Sequence, residues 1–161
     1  GDTIFIDSGS TAVNVLRHLP PRIKLTVVTH SLPAMVEAAK YDGINLISLG
    51  GAFNPATSSF VGIFAQQALS DLRITKAFLC ATGVTVESGM SNTTFLEAEI
   101  KRGVVSHASS VILVADSSKL GHDATVTFCR LQDISTFVTD QQPAPKFVEF
   151  CRAHNIRLVW E

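Results

Sequence analysis

An α/β sandwich, with a largely parallel sheet held between helices on both faces, is the fold predicted for this chain of 161 residues. Three observations lead there. Short apolar, β-branched runs recur along the chain and are continuous rather than alternating, as suits strands buried on both faces. Segments with helical spacing of apolar residues lie between most of them. With 46% hydrophobic and 17% charged residues the chain can bury one full core, yet it is too short for two ordinary domains, so residues 1–161 are read as one domain.

The first strand, Ile4–Ile6, stops at Asp7 and passes through Ser8-Gly9-Ser10-Thr11 into a helix over Thr11–Leu19. A glycine between hydroxyl residues allows a tight turn, and the first amides of the helix point outward with the positive end of its dipole behind them, a natural seat for phosphate. Ser10 or Thr11 as a plain N-cap is the other reading of the same residues. The second strand, Leu25–Val28, leads through Thr29-His30-Ser31 into a helix over Leu32–Lys40. Leu46–Leu49 ends at Gly50-Gly51-Ala52, and a helix over Gly62–Leu69 follows. Ala77–Ala81 opens into Thr82-Gly83-Val84, ahead of a longer helix over Thr94–Ala108 that carries Glu97 and Lys101. Val111–Ala115 runs into Asp116-Ser117-Ser118-Lys119. Thr136–Val138, a helix over Pro145–Asn155 and a last strand at Arg157–Val159 complete the alternation, with no internal repeat.

In open parallel sheets, ligands sit beyond the carboxyl ends of the strands. Those ends are small, polar or glycine-rich here, and together they would line one crevice suited to a small phosphorylated or polyhydroxyl ligand. Each also has a plainer role: Gly50-Gly51 as a sharp turn, Thr29 and Ser31 as helix caps, Asp116-Ser117-Ser118 as an Asx turn, and Lys119 as a solvated lysine. Glu97 and Lys101, at i and i+4, have a helix-surface ion pair as theirs.

Composition excludes several classes. A net charge of -1 with no dense Lys/Arg run lacks the electrostatic footprint of a nucleic-acid-binding surface. No apolar run approaches a membrane span and no signal-like start precedes the first strand, so the chain is expected to be soluble and cytosolic. Three cysteines without CxxC spacing and five scattered histidines imply neither a disulfide framework nor a metal site, and no cofactor is expected. The chain starts at Gly1-Asp2-Thr3, directly before its first strand and without a Met, which suggests that something precedes it in the full protein.

The stretches "IFIDSGST", "LTVVTHSLP", "ISLGGAF", "AFLCATGV" and "ILVADSSKLG", in this order and spacing, resemble the C-terminal sensor domain of the DeoR-type bacterial transcriptional repressors. The resemblance implies the fold of the ribose-5-phosphate isomerase, glucosamine-6-phosphate deaminase and coenzyme A transferase group. It further implies a winged helix-turn-helix domain before Gly1 that reads operator DNA, and a sensor that binds a phosphorylated sugar or related metabolite. Matched to that family, the phosphate loop corresponds to Asp7, Gly9, Ser10 and Thr11, with Ser8 between them; further elements correspond to Thr29-His30-Ser31, to Gly50-Gly51 and to Asp116, Ser118 and Lys119. Glu97 and Lys101 correspond to the family's acid and base. His30 stands where Asn is usual and Leu120 where Phe is usual. An imidazole at the mouth of the pocket would bear on ligand choice.

A ligand-sensing regulator domain is therefore the leading reading, with a homo-oligomeric assembly expected. A sugar-phosphate isomerase or deaminase of the same fold is the alternative, with Glu97 or Asp116 as base and Lys119 stabilising an enolate-like oxygen. A scaffold with an idle pocket is the third. In the sensor reading Ser8 to Thr11 seat the phosphate, Lys119 completes the seat from a distant strand end, and Asp7 holds sugar hydroxyls or orders the loop.

Overall fold

Seven parallel strands form the central sheet of a computed structural model that describes residues 1–161. Its strands are β1 (Thr3–Ile6), β2 (Leu25–Thr29), β3 (Ile44–Ser48), β6 (Ile74–Leu79), β9 (Ala108–Val114), β11 (Thr136–Thr139) and β12 (Arg157–Trp160). From β1 the chain builds outward through β2 and β3, then returns to the other side of β1 to lay down β6, β9, β11 and β12. The strand order thus reverses between β1 and β6, and this switch point is where an open parallel sheet leaves a crevice at its carboxyl edge.

Alternate residues of β1 serve two cores. Ile4 and Ile6 join Ala12, Val13 and Leu16 of α1 (Ser10–Arg17) and Ala34 and Ala38 of α2 (Leu32–Ala38) on one face. Phe5 turns to the other and larger core, which takes in α3 (Ile63–Ser70), α4 (Phe95–His107) and α5 (Pro145–Ala153) through residues such as Leu69, Ile100 and Phe147. The expected sandwich is present, and its seven strands and five helices fall in the expected order.

Two small antiparallel sheets were not expected. A hairpin pairs β4 (Ala52–Asn54) with β5 (Ser59–Val61), and a three-stranded sheet orders β10 (Val126–Cys129), β8 (Gly89–Asn92) and β7 (Gly83–Thr85). Both are made of very short strands, and they pack on α3 and α4 through β5, β8 and β10. No helix is long and apolar enough to cross a membrane.

Candidate functional site

The largest cavity, of about 620 Å³, opens at the switch point. Ser8, Gly9 and Ser10 from the end of β1 face Cys80, Ala81 and Thr82 from the end of β6 across it. Val13, Asn14 and Arg17 continue the wall along α1, Ala56 to Ser58 of the β4–β5 hairpin close over it, and Asn92, Thr93, Glu97 and Lys101 form its floor beside Pro33.

The start of α1 leaves its first amides without partners. Gly9 is the N-cap, and no side chain caps the helix, so neither Ser10 nor Thr11 plays the ordinary capping role. The first helical amides to find a partner are those of Ala12 and Val13, both donating to the Gly9 carbonyl at 3.0 and 3.3 Å. The N–H groups of Gly9, Ser10 and Thr11 have no acceptor in the protein. They lie at the positive end of the helix dipole, with Gly9 and Ser10 on the cavity wall. Gly9 is required for a steric reason: a Cβ there would fall 2.5 Å from the Cβ of Cys80 and 2.6 Å from its sulfur.

Beneath this loop lies a fully buried charged cluster. The Asp7 carboxylate accepts the Lys101 ammonium at 2.7 Å and the amides of Ser8 and Cys80 at 2.8 Å each. Burial alone would raise the pKa of Asp7, but the Lys101 charge and the His30 ring outweigh it and hold the carboxyl well below the usual carboxylate range. Asp7 therefore orders the loop, one of its two expected roles, and as a buried side chain off the cavity wall it is not placed to hold a sugar. Lys101 also donates to the Cys80 carbonyl at 2.8 Å and to Asn92 at 3.2 Å, which occupies all three of its N–H donors. The helix-surface ion pair between Glu97 and Lys101 is not formed; both side chains are buried, and Lys101 is paired with Asp7 instead. Glu97 accepts from Ser8 Oγ at 3.0 Å and from Ser59 Oγ of the hairpin, joining the loop, the helix and the hairpin through one carboxylate. Thr94 caps α4 by accepting the Glu97 amide at 3.4 Å.

His30 is not at the mouth of the pocket. It is fully buried, stacked on Phe5 at 5.8 Å, with Nε2 3.3 Å from Asp7 and Nδ1 3.3 Å from the Phe60 carbonyl. Both nitrogens face acceptors, so only the doubly protonated ring makes both hydrogen bonds. Ligand atoms of Asp7, His30 and Glu97 lie within 4.8 Å of one another, a spacing a metal ion could use, but a dication there would have to displace the Lys101 ammonium from Asp7.

Several other expected site residues hold the backbone and leave the cavity wall to others. Thr29 donates to the Ile6 carbonyl at 2.7 Å and accepts the Ser31 amide at 3.0 Å; Ser31 caps α2 through the Ala34 amide at 3.3 Å. Gly50 and Gly51 both have positive φ, and a Cβ on Gly51 would meet the Val61 carbonyl at 2.6 Å, so the pair serves the turn into β4. A Cβ on Gly83 would meet the His122 carbonyl at 2.2 Å. Asp116 accepts the Ser118 amide at 2.9 Å in an Asx turn that opens the 3-10 turn Ser117–Lys119, and Gly121 ties the segment to Val84 at 2.8 Å. Asp116, Ser118 and Lys119 share the carboxyl edge of the sheet but do not line this cavity. Conversely, Asn14, Arg17, Ser58, Asn92 and Thr93 line it and had not been singled out. The signal for the first two was a polar stripe, Ser10, Asn14 and Arg17, at i, i+4 and i+7 of α1.

The family model for the DeoR C-terminal sensor domain matches residues 1–141. Among known proteins, the HTH-type transcriptional regulator IolR of Bacillus subtilis is 36% identical over 155 residues, covering 96% of this chain and 62% of that protein. The transcriptional repressor AccR of Agrobacterium fabrum is 31% identical over 141 residues, 87% of this chain and 55% of its own length. The lactose phosphotransferase system repressor of Staphylococcus epidermidis is 32% identical over 149 residues, 91% and 58% respectively. The chain thus spans a little over half the length of these relatives.

Proposed function

Because the chain belongs to the DeoR C-terminal sensor domain family, whose members sense effectors and are not enzymes, we propose that it binds a phosphorylated sugar and thereby controls a DNA-reading domain elsewhere in the full protein. The observation that carries this reading is the trio of unpartnered amides at Gly9, Ser10 and Thr11 at a helix N-terminus, with Gly9 and Ser10 on the wall of a polar cavity at the switch point. A phosphate there accepts three N–H groups and the favourable end of the α1 dipole. The hydroxyl-rich walls at Thr57, Ser58, Thr82 and Thr93 then face the sugar.

Lys101 contributes through Asp7 and not by touching the ligand, since its donors are already used. Operator binding belongs to a helix-turn-helix domain N-terminal to Gly1, in keeping with the regulator names of the relatives and with a net charge of -1 here. Sugar metabolism as the controlled process follows the name of the lactose phosphotransferase repressor. A symmetric homo-oligomer completes the reading, as the commonest assembly of soluble proteins.

The test is calorimetric titration of the 161-residue chain with a sugar phosphate, the matching free sugar and inorganic phosphate. The reading expects saturable binding of the sugar phosphate well above that of the free sugar. Equal binding of the two, or loss of neither in a Ser10→Pro variant that removes one of the three amides while remaining folded, overturns it.

A further inference from the structure

Two cationic side chains line the cavity, Lys101 and Arg17, and they are not equivalent. The Lys101 ammonium has three acceptors of its own within the protein. Arg17 has five N–H donors, of which one reaches Asn14 Oδ1 at 2.9 Å, while the Glu37 carboxylate stands 3.6 Å from its Nε. Its remaining donors are free to meet a ligand. Arg17 ends the stripe that Ser10 begins, seven residues along α1, so the two ends of the stripe are about 10 Å apart at 1.5 Å per residue. An arginine side chain on a helix leans back toward the N-terminus, which brings the guanidinium nearer to the first turn. The cavity therefore has a positive pole at each end of one helix face, with hydroxyl and amide groups along its walls and the Glu97 carboxylate, already accepting from Ser8 and Ser59, on its lining.

We propose that the effector carries two acidic groups: a polyhydroxyl chain with a phosphate at the α1 N-terminus and a second acid, carboxylate or phosphate, held at the other end by Arg17, which Asn14 steadies. This rests on the sugar-phosphate reading above and narrows it, because an acidic far end can exchange the water on the remaining Arg17 donors for a charge-assisted pair. The planar guanidinium fork suits a carboxylate or phosphate and is wasted on a hydroxyl.

The experiment titrates three probes into wild type and Arg17→Gln: glucose 6-phosphate, 6-phosphogluconate and fructose 1,6-bisphosphate. Arg17 is more than half exposed, so the variant folds. In wild type at least one doubly acidic probe binds about fivefold more tightly than glucose 6-phosphate, the value of about 1 kcal/mol for an ion pair to a guanidinium that is more than half exposed. In Arg17→Gln that advantage disappears while the affinity for glucose 6-phosphate stays within about twofold, a change too small to represent a lost charge contact. The proposal is overturned if wild type binds glucose 6-phosphate as tightly as both doubly acidic probes, or if Arg17→Gln weakens all three alike. Failure of every probe to bind removes the sugar-phosphate reading and this one with it, an outcome distinct from binding without preference.

Discussion

Lys101→Met is the substitution that bears hardest on how the loop from Ser8 to Thr11 is held. In the folded chain the ammonium is fully buried, 2.7 Å from Asp7, and also meets the Cys80 carbonyl and Asn92. Methionine fills a similar volume over Phe128 but leaves the Asp7 carboxylate enclosed without its cation. Breaking a buried pair by removing one partner costs about 3–5 kcal/mol, out of roughly 5–15 kcal/mol for a whole domain. The acid limb should move as well. Asp7 titrates well below the usual range when folded and near its ordinary value of 3.8 when unfolded, so on acidification the unfolded chain takes up the proton first. The stability it contributes is complete above the unfolded value and drains away as pH falls below it. In Lys101→Met, burial is opposed only by His30 and two amides, so the folded Asp7 protonates at higher pH and that contribution shrinks. Urea unfolding followed by circular dichroism between pH 3 and 7 reads both effects. A loss below about 1 kcal/mol at pH 7, with the acid dependence unchanged, would refute the claim that this pair anchors the loop.

Gly9→Ala should destabilise by about 1–3 kcal/mol through its clash with Cys80, and Cys80→Gly in the same chain should restore much of the loss; equal stability of Gly9→Ala and wild type in thermal unfolding would contradict the close approach. Burial, reinforced by the Asp7 charge, pushes the Cys80 thiol up to about 12, so despite its place on the cavity wall it should react with Ellman's reagent at pH 8 far more slowly in the native chain than in urea. Rapid native labelling of Cys80 would show that its surroundings are more open than described.

Much of this was legible in the chain because it was local. The run from Ile4 through Asp7 to Thr11 places strand, turn and helix by composition alone, and α1, α4 and α5 fall within about two residues of their expected bounds, the usual scatter of helix ends. Strand starts slid: β6 begins at Ile74 and β9 at Ala108, several residues earlier than expected, because Thr75-Lys76 and Ser109-Ser110 look polar in sequence yet pair in the ladder. The site was legible at its loop and not at its floor. Nothing in the neighbourhood of Glu97 announces Ser59, and nothing near Lys101 announces Asp7; those partners meet only when α4 packs beneath β1 and the hairpin. His30 was misplaced for the same reason, since Phe5 and Phe60, which enclose it, come from other strands. Arg17, between Leu16 and His18 at a helix end, has the look of a solvated surface residue until the cavity beside it is seen.

The central claim is that the unpartnered amides at the start of α1 are the phosphate seat. Amide-resolved nuclear magnetic resonance of the 161-residue chain during titration with a sugar phosphate tests it most directly. The account predicts saturable downfield shifts of the Gly9, Ser10 and Thr11 N–H signals, larger than those elsewhere and absent with the matching free sugar. Saturable binding that leaves these three signals in place and moves those of Ser117 to Lys119 instead would contradict it.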